Sequence, residues 1–539
     1  MRPVNLQSVY QAYRHLSFEQ FQLYMHVFGA RADRQLEMED LCVFIELLYE
    51  NIKSLPQVER LMDGFYLGYS IPQISKEFDL LRFGHNFLLN IELKHMGTEE
   101  KIARQLATNS YYLKAVSSEV YLFTFVAETK KIYSLDKNDN LVETDLQELI
   151  ARLQQQSLTR ELDLDTLFAP KQYLVSPLNS TEKFINENYF LTNAQRQIKQ
   201  EVMTALLAGR VKTVLIKGTF GTGKTLLTYD IAHEHMKHGQ EVIIVHNGTL
   251  SEGHLTLRDE YGWRVYAIKD FYDNYSSLVK DRVDLIVFDE AQRTYTHQLT
   301  EILDFLRAQP VKCIFSFDPE QFFSASENRG RLIDLLQAKE IPYKEYQLSK
   351  KIRTNKELSA FILNLFDRRK INRNPDLRYN NVHIQYFTDA DNVRVCLKKL
   401  EQEGWQVLVN TPSGYDAVFF EPYEAEFKLN AQKVIGQEFD KVAVVINEYF
   451  YYNEEGKLAA RPPQAAPDYM LDRILYQNVT RAREALHIVI CRNPMLLEAC
   501  SKIINKQYGP RVFVRRSKQK PVRIRVTKKG ESTKAAPQN

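Results

Sequence analysis

The stretch that most constrains this 539-residue chain is GTFGTGKT, running from Gly218 to Thr225. It lies between the apolar run Val214-Leu-Ile and a helical pattern over 226–237. The eight residues satisfy G-x-x-x-x-G-K-[ST] in the strand–loop–helix setting that gives the motif its physical meaning. Gly218, Gly221 and Gly223 let backbone N–H groups turn toward a pyrophosphate, and the following helix adds the positive end of its dipole. Lys224 is expected to reach the β- and γ-phosphates of ATP, and Thr225 to hold Mg²⁺. The motif says that a nucleotide is bound; what the nucleotide is used for has to come from elsewhere in the chain.

Strands and helices alternate after the loop, which predicts a parallel sheet whose carboxyl edge collects the site. The run Leu285-Ile-Val-Phe288 leads into Asp289-Glu-Ala-Gln-Arg293. An acid at the end of a buried strand beside the phosphate loop suits Mg²⁺, and its neighbour suits the attacking water, so Asp289 is assigned to the metal and Glu290 to the general base. The run Val311-Lys-Cys-Ile-Phe-Ser316 ends near Asp318 and Gln321, expected on the γ-phosphate side. Upstream, Thr192 or Asn193 can cap a helix reaching Leu207, from which Gln195 can read an adenine edge.

At this length one core does not suffice. The N-terminal sixty residues carry helical spacing, and then the period shortens: residues 65–71, 78–83 and 87–94 read as a three-stranded meander, followed by a helix from about 99 to 112 and a strand over 120–126. Asp79 lies on the second of these strands, with Glu92 and Lys94 on the third. Residues two apart on a strand share a face, and a hairpin can bring Asp79 beside them. Two carboxylates and a lysine at one end of a sheet suit metal-assisted phosphodiester hydrolysis with Mg²⁺ or Mn²⁺ on Asp79 and Glu92.

The pattern E-F-D…E-L-K over Glu77 to Lys94 resembles the PD-(D/E)xK nucleases, closest to the domains related to the NERD group and the RecB nucleases. That resemblance implies an α-β-β-β-α-β core, a catalytic role for Lys94, a supporting glutamine at Gln105 and an upstream helical glutamate, for which Glu59 is the choice. In the second half, D-E-A-Q at Asp289 and D-x-x-Q at Asp318 resemble motifs II and III of superfamily 1 helicases. Arg353 then resembles the motif IV arginine, the Q-E-F-D segment with Glu438 and Asp440 resembles motif V, and V-T-R-A-R-E-A-L with Arg481 resembles motif VI. The resemblance makes Gln195 the Q-motif residue and implies nucleotide contacts from Gln321 and Glu438, with Arg353 and Arg481 arriving from a second lobe when the cleft closes on ATP.

Departures from that pattern are Phe317 where motif III has glycine, I-G-Q-E in motif V, and a short His246-Asn-Gly-Thr segment for motif Ia. The compact spacing resembles the helicase-like ATPase domains shared with Schlafen-type proteins. The expected architecture is therefore α/β: a restriction-endonuclease-like domain over 1–135, a polar connector over 136–185, RecA-like parallel-sheet lobes over 186–345 and 346–500, and a basic tail over 501–539.

Charge supports a polyanionic partner. The net charge is only +3, yet Arg511 to Asn539 holds ten basic residues against Glu531, so the tail carries +9 on a body of −6. DNA is favoured as the partner and RNA stays open, as does a second copy of the chain or a partner from a defence system. The five cysteines are scattered without metal-finger spacing, which fits a reducing compartment. With no run of ~18 apolar residues and no signal-peptide core, the chain is expected off the membrane and in the cytoplasm. The expected function is an ATP-dependent translocase or helicase joined to a nuclease, of the kind that processes foreign or damaged DNA, phage DNA included. The competing expectation is an ATP-gated switch with an inactive nuclease scaffold.

Overall fold

The computed structural model describes residues 1–30, 35–72, 74, 76–136, 140–159, 162–169, 173, 175–209, 211–279, 282–324, 327, 331–348, 355–371, 374, 377–410, 421–461 and 469–507. Arg353 and the basic stretch from Arg511 onward fall outside these residues.

The first sheet comprises β1 (Phe65–Ser70), β2 (Glu77–Phe83), β3 (Leu88–Lys94), β4 (Val120–Val126), β5 (Lys131–Leu135) and β6 (Leu141–Thr144), in sequential order. Only the β3–β4 pair is parallel, because the helix Glu99–Leu113 makes the crossover. Helices at 6–15, 18–27 and 35–52 close one face around Phe44, Leu48, Leu89 and Ile91, and the helix Glu99–Leu113 closes the other around Leu106 and Phe78.

The segment read as a polar connector is largely part of this domain. β6 pairs with β5 from Leu135↔Leu141 to Ile132↔Thr144, and the helix Leu146–Gln155 buries Leu149, Ile150 and Leu153 in the same core. Its polar composition reflects an edge strand and an amphipathic helix, each with one solvated face. The link proper begins later: Val175, Leu178 and Phe184 pack on the second sheet's core.

The second sheet holds β7 (Thr213–Gly218), β8 (Val242–His246), β9 (Arg264–Ala267), β10 (Leu285–Asp289), β11 (Lys312–Phe317) and β12 (Tyr343–Leu348), in the order β12-β7-β11-β10-β8-β9. All its pairs are parallel. Near-continuous apolar runs such as VIIVH and LIVFD mark strands buried on both faces. Alternate residues accordingly feed two cores, Val214, Ile244 and Val287 into one, and Leu215, Ile243 and Phe288 into the other.

The third sheet has β13 (Val382–Phe387), β14 (Gln406–Val409), β15 (Leu429–Asn430), β16 (Phe439–Ile446) and β19 (Ala482–Cys491), in the order β13-β19-β16-β14-β15 and again parallel. A hairpin of β17 (Phe450–Tyr452) and β18 (Leu458–Ala460) stands beside it. No described helix is long and apolar enough to cross a membrane.

Candidate active sites

The parallel order places the ends of β7, β10 and β11 side by side, so the phosphate loop, Asp289-Glu290 and Asp318 meet at one edge. Gly223 takes φ +78 and caps the helix Lys224–Lys237. A Cβ there would lie 2.4 Å from Nε2 of Gln195, so the loop requires glycine for both conformation and space. Gln195 is 2% exposed, and its Nε2 donates to the carbonyls of Thr222 and Gly223 at 3.2 and 3.3 Å. Its Oε1 accepts from the Thr192 N–H at 2.9 Å, completing a capping box. The side chain expected to read an adenine edge thus also braces the phosphate loop.

Lys224 Nζ donates to Thr219 O at 3.2 Å. The Thr225 hydroxyl lies 3.5 and 3.3 Å from the two carboxylate oxygens of Asp289, which also accepts from Ser316 and has His246 Nδ1 at 3.9 Å. A fully buried carboxylate flanked by two hydroxyls is an oxygen-rich donor set that fits Mg²⁺. Thr225 and Asp289 would hold the ion, and bound to a triphosphate it would offset phosphate charge.

Glu290 sits in the left-handed region at φ +58 and is 4% exposed. Burial pushes its carboxyl up, yet Arg293, Lys224 and Arg481 outweigh it, and with a hydrogen bond from Gln292 they hold it at about 2. Gln292 Nε2 donates to Glu290 at 2.6 Å and to Gln321 O at 3.0 Å, while its Oε1 accepts from the Asp318 N–H at 3.0 Å. One amide therefore ties the ends of β10 and β11 together.

The second lobe completes this cleft. Arg481 is 5% exposed; its Nη2 donates to Gln321 Oε1 at 3.3 Å and its Nη1 to Gln437 O at 3.1 Å. Burial pulls the Arg481 guanidinium down, opposed by Glu290 and Glu438. Gln321 Nε2 reaches Thr480 Oγ1 at 3.3 Å. Arg293 Nη2 crosses the other way to Gln477 Oε1 at 2.9 Å and lies 4.1 Å over the Phe323 ring. Phe220, from the phosphate loop, packs in the second lobe's core and meets Tyr476 edge-on at 5.8 Å. Glu438 keeps its backbone paired with Asn179, which donates to the Glu438 carbonyl at 2.8 Å.

Residues 211–441 match the family model of the Schlafen group 3 DNA/RNA helicase domain. The chain therefore carries a helicase-type domain, and the match begins just before β7 and ends within β16. Solved structures similar to the chain include Pif1 helicases. One is described for DNA unwinding at forked dsDNA by two coordinating Pif1 helicases, with 12% identity over 60% of this chain and 100% of that one, TM-score 0.32. Another is Pif1 from Candida albicans, with 12% identity over 59% and 99%, TM-score 0.31. A third is unliganded Pif1 from Bacteroides sp, with 13% identity over 60% and 100%, TM-score 0.31. No curated protein matches the chain.

Within the helicase-type domain, Gln292, Arg293 and Ser316 join the cleft without having been singled out in the sequence. Gln292 and Arg293 lie inside D-E-A-Q-R, so their spacing was legible, but neither the tie of Gln292 to the end of β11 nor the reach of Arg293 to the other lobe was. Phe317, the departure at motif III, is explained by packing: it ends β11, is 1% exposed and belongs to the core under the sheet.

The second site lies at the N-terminal sheet. The β2–β3 ladder runs through Leu80↔Ile91, so Asp79 and Glu92 occupy the next register position. Opposite Asp79 on β1, Gly68 takes φ +69 and the β1–β2 register skips that pair. Asp79 Oδ2 accepts the Leu93 N–H at 2.8 Å. Glu92 is 1% exposed; its Oε1 accepts from Asn90 at 3.1 Å and Asn109 at 2.8 Å, and its Oε2 from Gln105. Burial and then the Glu92 charge push the Asp79 carboxyl well up, against the Leu93 N–H and Lys76. Lys76, 7% exposed, is lowered by burial while Glu92, Asp79 and Glu77 hold its charge and Lys94 opposes it.

Asp79, Glu92 and Lys94 are thus brought together, with Lys76 as an additional cation that the sequence did not single out. Glu59 is exposed on the short helix Val58–Met62, whereas Glu37, on the helix Gln35–Ile52, is the upstream glutamate whose charge acts on Asp79. Among the described residues no group of three or more His, Cys, Asp and Glu side chains is placed to hold a metal. Two repelling carboxylates with oxygen lone pairs left over fit a hard cation, which Asp79 and Glu92 would hold and which would polarise a phosphodiester.

Proposed function

We propose that this chain is an ATP-driven nucleic-acid translocase joined to a metal-dependent nuclease acting on DNA. One observation carries the motor half: Lys224, Glu290 and Arg293 of the first lobe share a buried cleft with Arg481 of the second, closely enough that all three cations act on the Glu290 carboxylate. In this reading Lys224 and Arg481 neutralise the transferring phosphoryl group, and Glu290 orients the attacking water. A carboxylate held at about 2 is a weak base, so its role is mainly positional until the triphosphate's own charge offsets the surrounding cations. Arg481–Gln321 and Arg293–Gln477 couple the state of the cleft to the separation of the lobes. From its motif alone Arg353 is assigned as the second γ-phosphate arginine, and Gly218, Gly221, Gly223, Thr225, Asp289 and Glu438 as nucleotide or Mg²⁺ contacts.

The nuclease half rests on Asp79, Glu92 and Lys94, with Mg²⁺ or Mn²⁺ on the two carboxylates. A role in clearing foreign or damaged DNA follows as the use such a fusion would serve. A second reading, an ATP-gated binding switch on an inactive scaffold, is favoured by one feature: Glu92 already accepts from three amides. Metal-dependent plasmid cleavage by wild type, Asp79→Ala and Lys224→Ala decides between them. Cleavage lost only in Asp79→Ala, with ATP turnover lost only in Lys224→Ala, supports the fusion. Equal cleavage by wild type and Asp79→Ala removes the nuclease assignment. ATP turnover measured with single- and double-stranded DNA and RNA identifies the activating polymer.

A further inference from the structure

Between the N-terminal domain and the first lobe runs a groove of about 1080 Å³. Its two walls are helices from different domains. The helix Glu99–Leu113 presents Lys101, Arg104, Gln105 and Thr108, spaced on one face, and the helix Asn193–Leu207 presents Arg196, Gln197, Gln200 and Met203, likewise on one face. Tyr111 joins the walls: its ring lies 4.4 Å from the Arg196 guanidinium, and its hydroxyl donates to Tyr189 O at 3.3 Å. One end of the groove is the carboxylate site, since Lys76 and Gln105 line it and Gln105 donates to Glu92.

The charge balance is one-sided. Six cationic side chains line the groove against three carboxylates. Two lysines satisfy all three carboxylates: Lys199 pairs with Asp230 at 2.8 Å and Glu234 at 3.2 Å, and Lys237 pairs with Glu187. Lys76 faces the Asp79–Glu92 carboxylates, so Lys101, Arg104 and Arg196 are left for a partner's negative charge. Between the cations the walls are aromatic and apolar, with Tyr111, Tyr189, Leu191 and Met203. Cations flanking aromatic faces suit a polymer that exposes both phosphates and base faces, and a duplex keeps its base faces stacked inside.

We infer that this groove binds a single-stranded polynucleotide and leads it to the Asp79–Glu92 site. The direction of delivery rests on the nuclease reading given above, whereas the binding itself does not. DNA and RNA share the phosphate and base chemistry that the groove offers, so both belong in the test.

The test uses the full chain with fluorescein-labelled oligo-dT, oligo-U and a DNA duplex, with EDTA present and ATP absent, titrated by anisotropy at several salt concentrations. Lys101→Glu combined with Arg104→Glu is expected to weaken single-strand binding at least about tenfold and to reduce the salt slope by about 1.4, for two lost phosphate contacts. Polymer-independent ATP turnover by the same protein stays at the wild-type rate, because neither residue touches the nucleotide cleft. If that turnover falls, the milder pair Lys101→Gln with Arg104→Gln is read by the same criterion. Unchanged affinity and slope for both single strands overturn the inference, and so does a larger loss on the duplex than on either strand. Because EDTA prevents cleavage, the two ideas fail separately. Loss of binding in the variant with no Mg²⁺-dependent cleavage by wild type sinks the nuclease and leaves the groove. Cleavage by wild type with unaltered variant binding does the reverse.

Discussion

Arg481 donates to Oε1 of Gln321 across 3.3 Å, and this bond joins the first turn after a helix in one lobe to a loop after β11 in the other. Both side chains are buried. The guanidinium is therefore held between the two lobes, by Gln437 O of its own and Gln321 of the other, so under the proposed mechanism cleft closure and completion of the ATP site are one event.

Arg481→Ala is expected to reduce ATP turnover by on the order of 10³ or more, the scale of a supplied transition-state arginine. Nucleotide affinity is expected to change far less, since Lys224 and the loop remain. Steady-state turnover together with equilibrium binding of a fluorescent ATP analogue checks the split; turnover within a few-fold of wild type would remove the two-lobe site.

Gln195→Ala should weaken ATP and GTP to the same extent. Its amide supports the carbonyls of Thr222 and Gly223, and its loss removes the Gln195 donor from Thr222 O while Gly223 O keeps the Leu227 N–H. A stability cost of about 1–2 kcal/mol accompanies it through the lost capping box. Competition binding with the two nucleotides is the check, and a change in ATP-over-GTP preference would restore the adenine-reading role.

Arg293→Ala is predicted to move the acid limb of kcat/KM to higher pH. In wild type Glu290 is held at about 2, below its ordinary 4.5, because Arg293, Lys224 and Arg481 outweigh burial. Its ionised form is favoured in the fold, so it stays charged in the free enzyme as pH falls toward that value. Without Arg293 the upward push of burial is less opposed, the carboxyl protonates at a higher pH, and the acid fall in kcat/KM begins at a higher pH than in wild type, which a pH–rate profile of the two proteins checks.

Asp79→Asn should stabilise the metal-free protein while abolishing metal-dependent cleavage. The folded carboxyl lies well above its ordinary 3.8, raised by burial and by Glu92. The fold thus binds a proton there that the unfolded chain releases, and its stability falls as pH rises from about 4 through the raised value. The amide removes that repulsion and can still accept the Leu93 N–H. A gain of about 1 kcal/mol raises Tm by about 2–4 °C; a fall in Tm at pH 7 would contradict the repelling pair.

The sequence by itself determined whatever depends on short spacing: the glycines and Lys224 of the phosphate loop, the acid pair closing β10, and the strands carrying Asp79, Glu92 and Lys94. Each is local, because a loop that bends around phosphate or a strand with one buried face imposes its residue types within about ten positions. Only the tertiary structure decided which distant groups meet. Arg293 with Gln477 and Phe220 with Tyr476 are joined by packing between separately folded lobes, and no spacing in the chain encodes that. The same holds for residues 141–155: a helix was legible from Asp145 to Gln156, but the pairing of 141–144 with β5 and the burial of that helix in the domain core were not. Gln195 marks the boundary most clearly: its position in the chain was legible, but its bond to the loop backbone depends on how closely Gly223 allows the loop to approach.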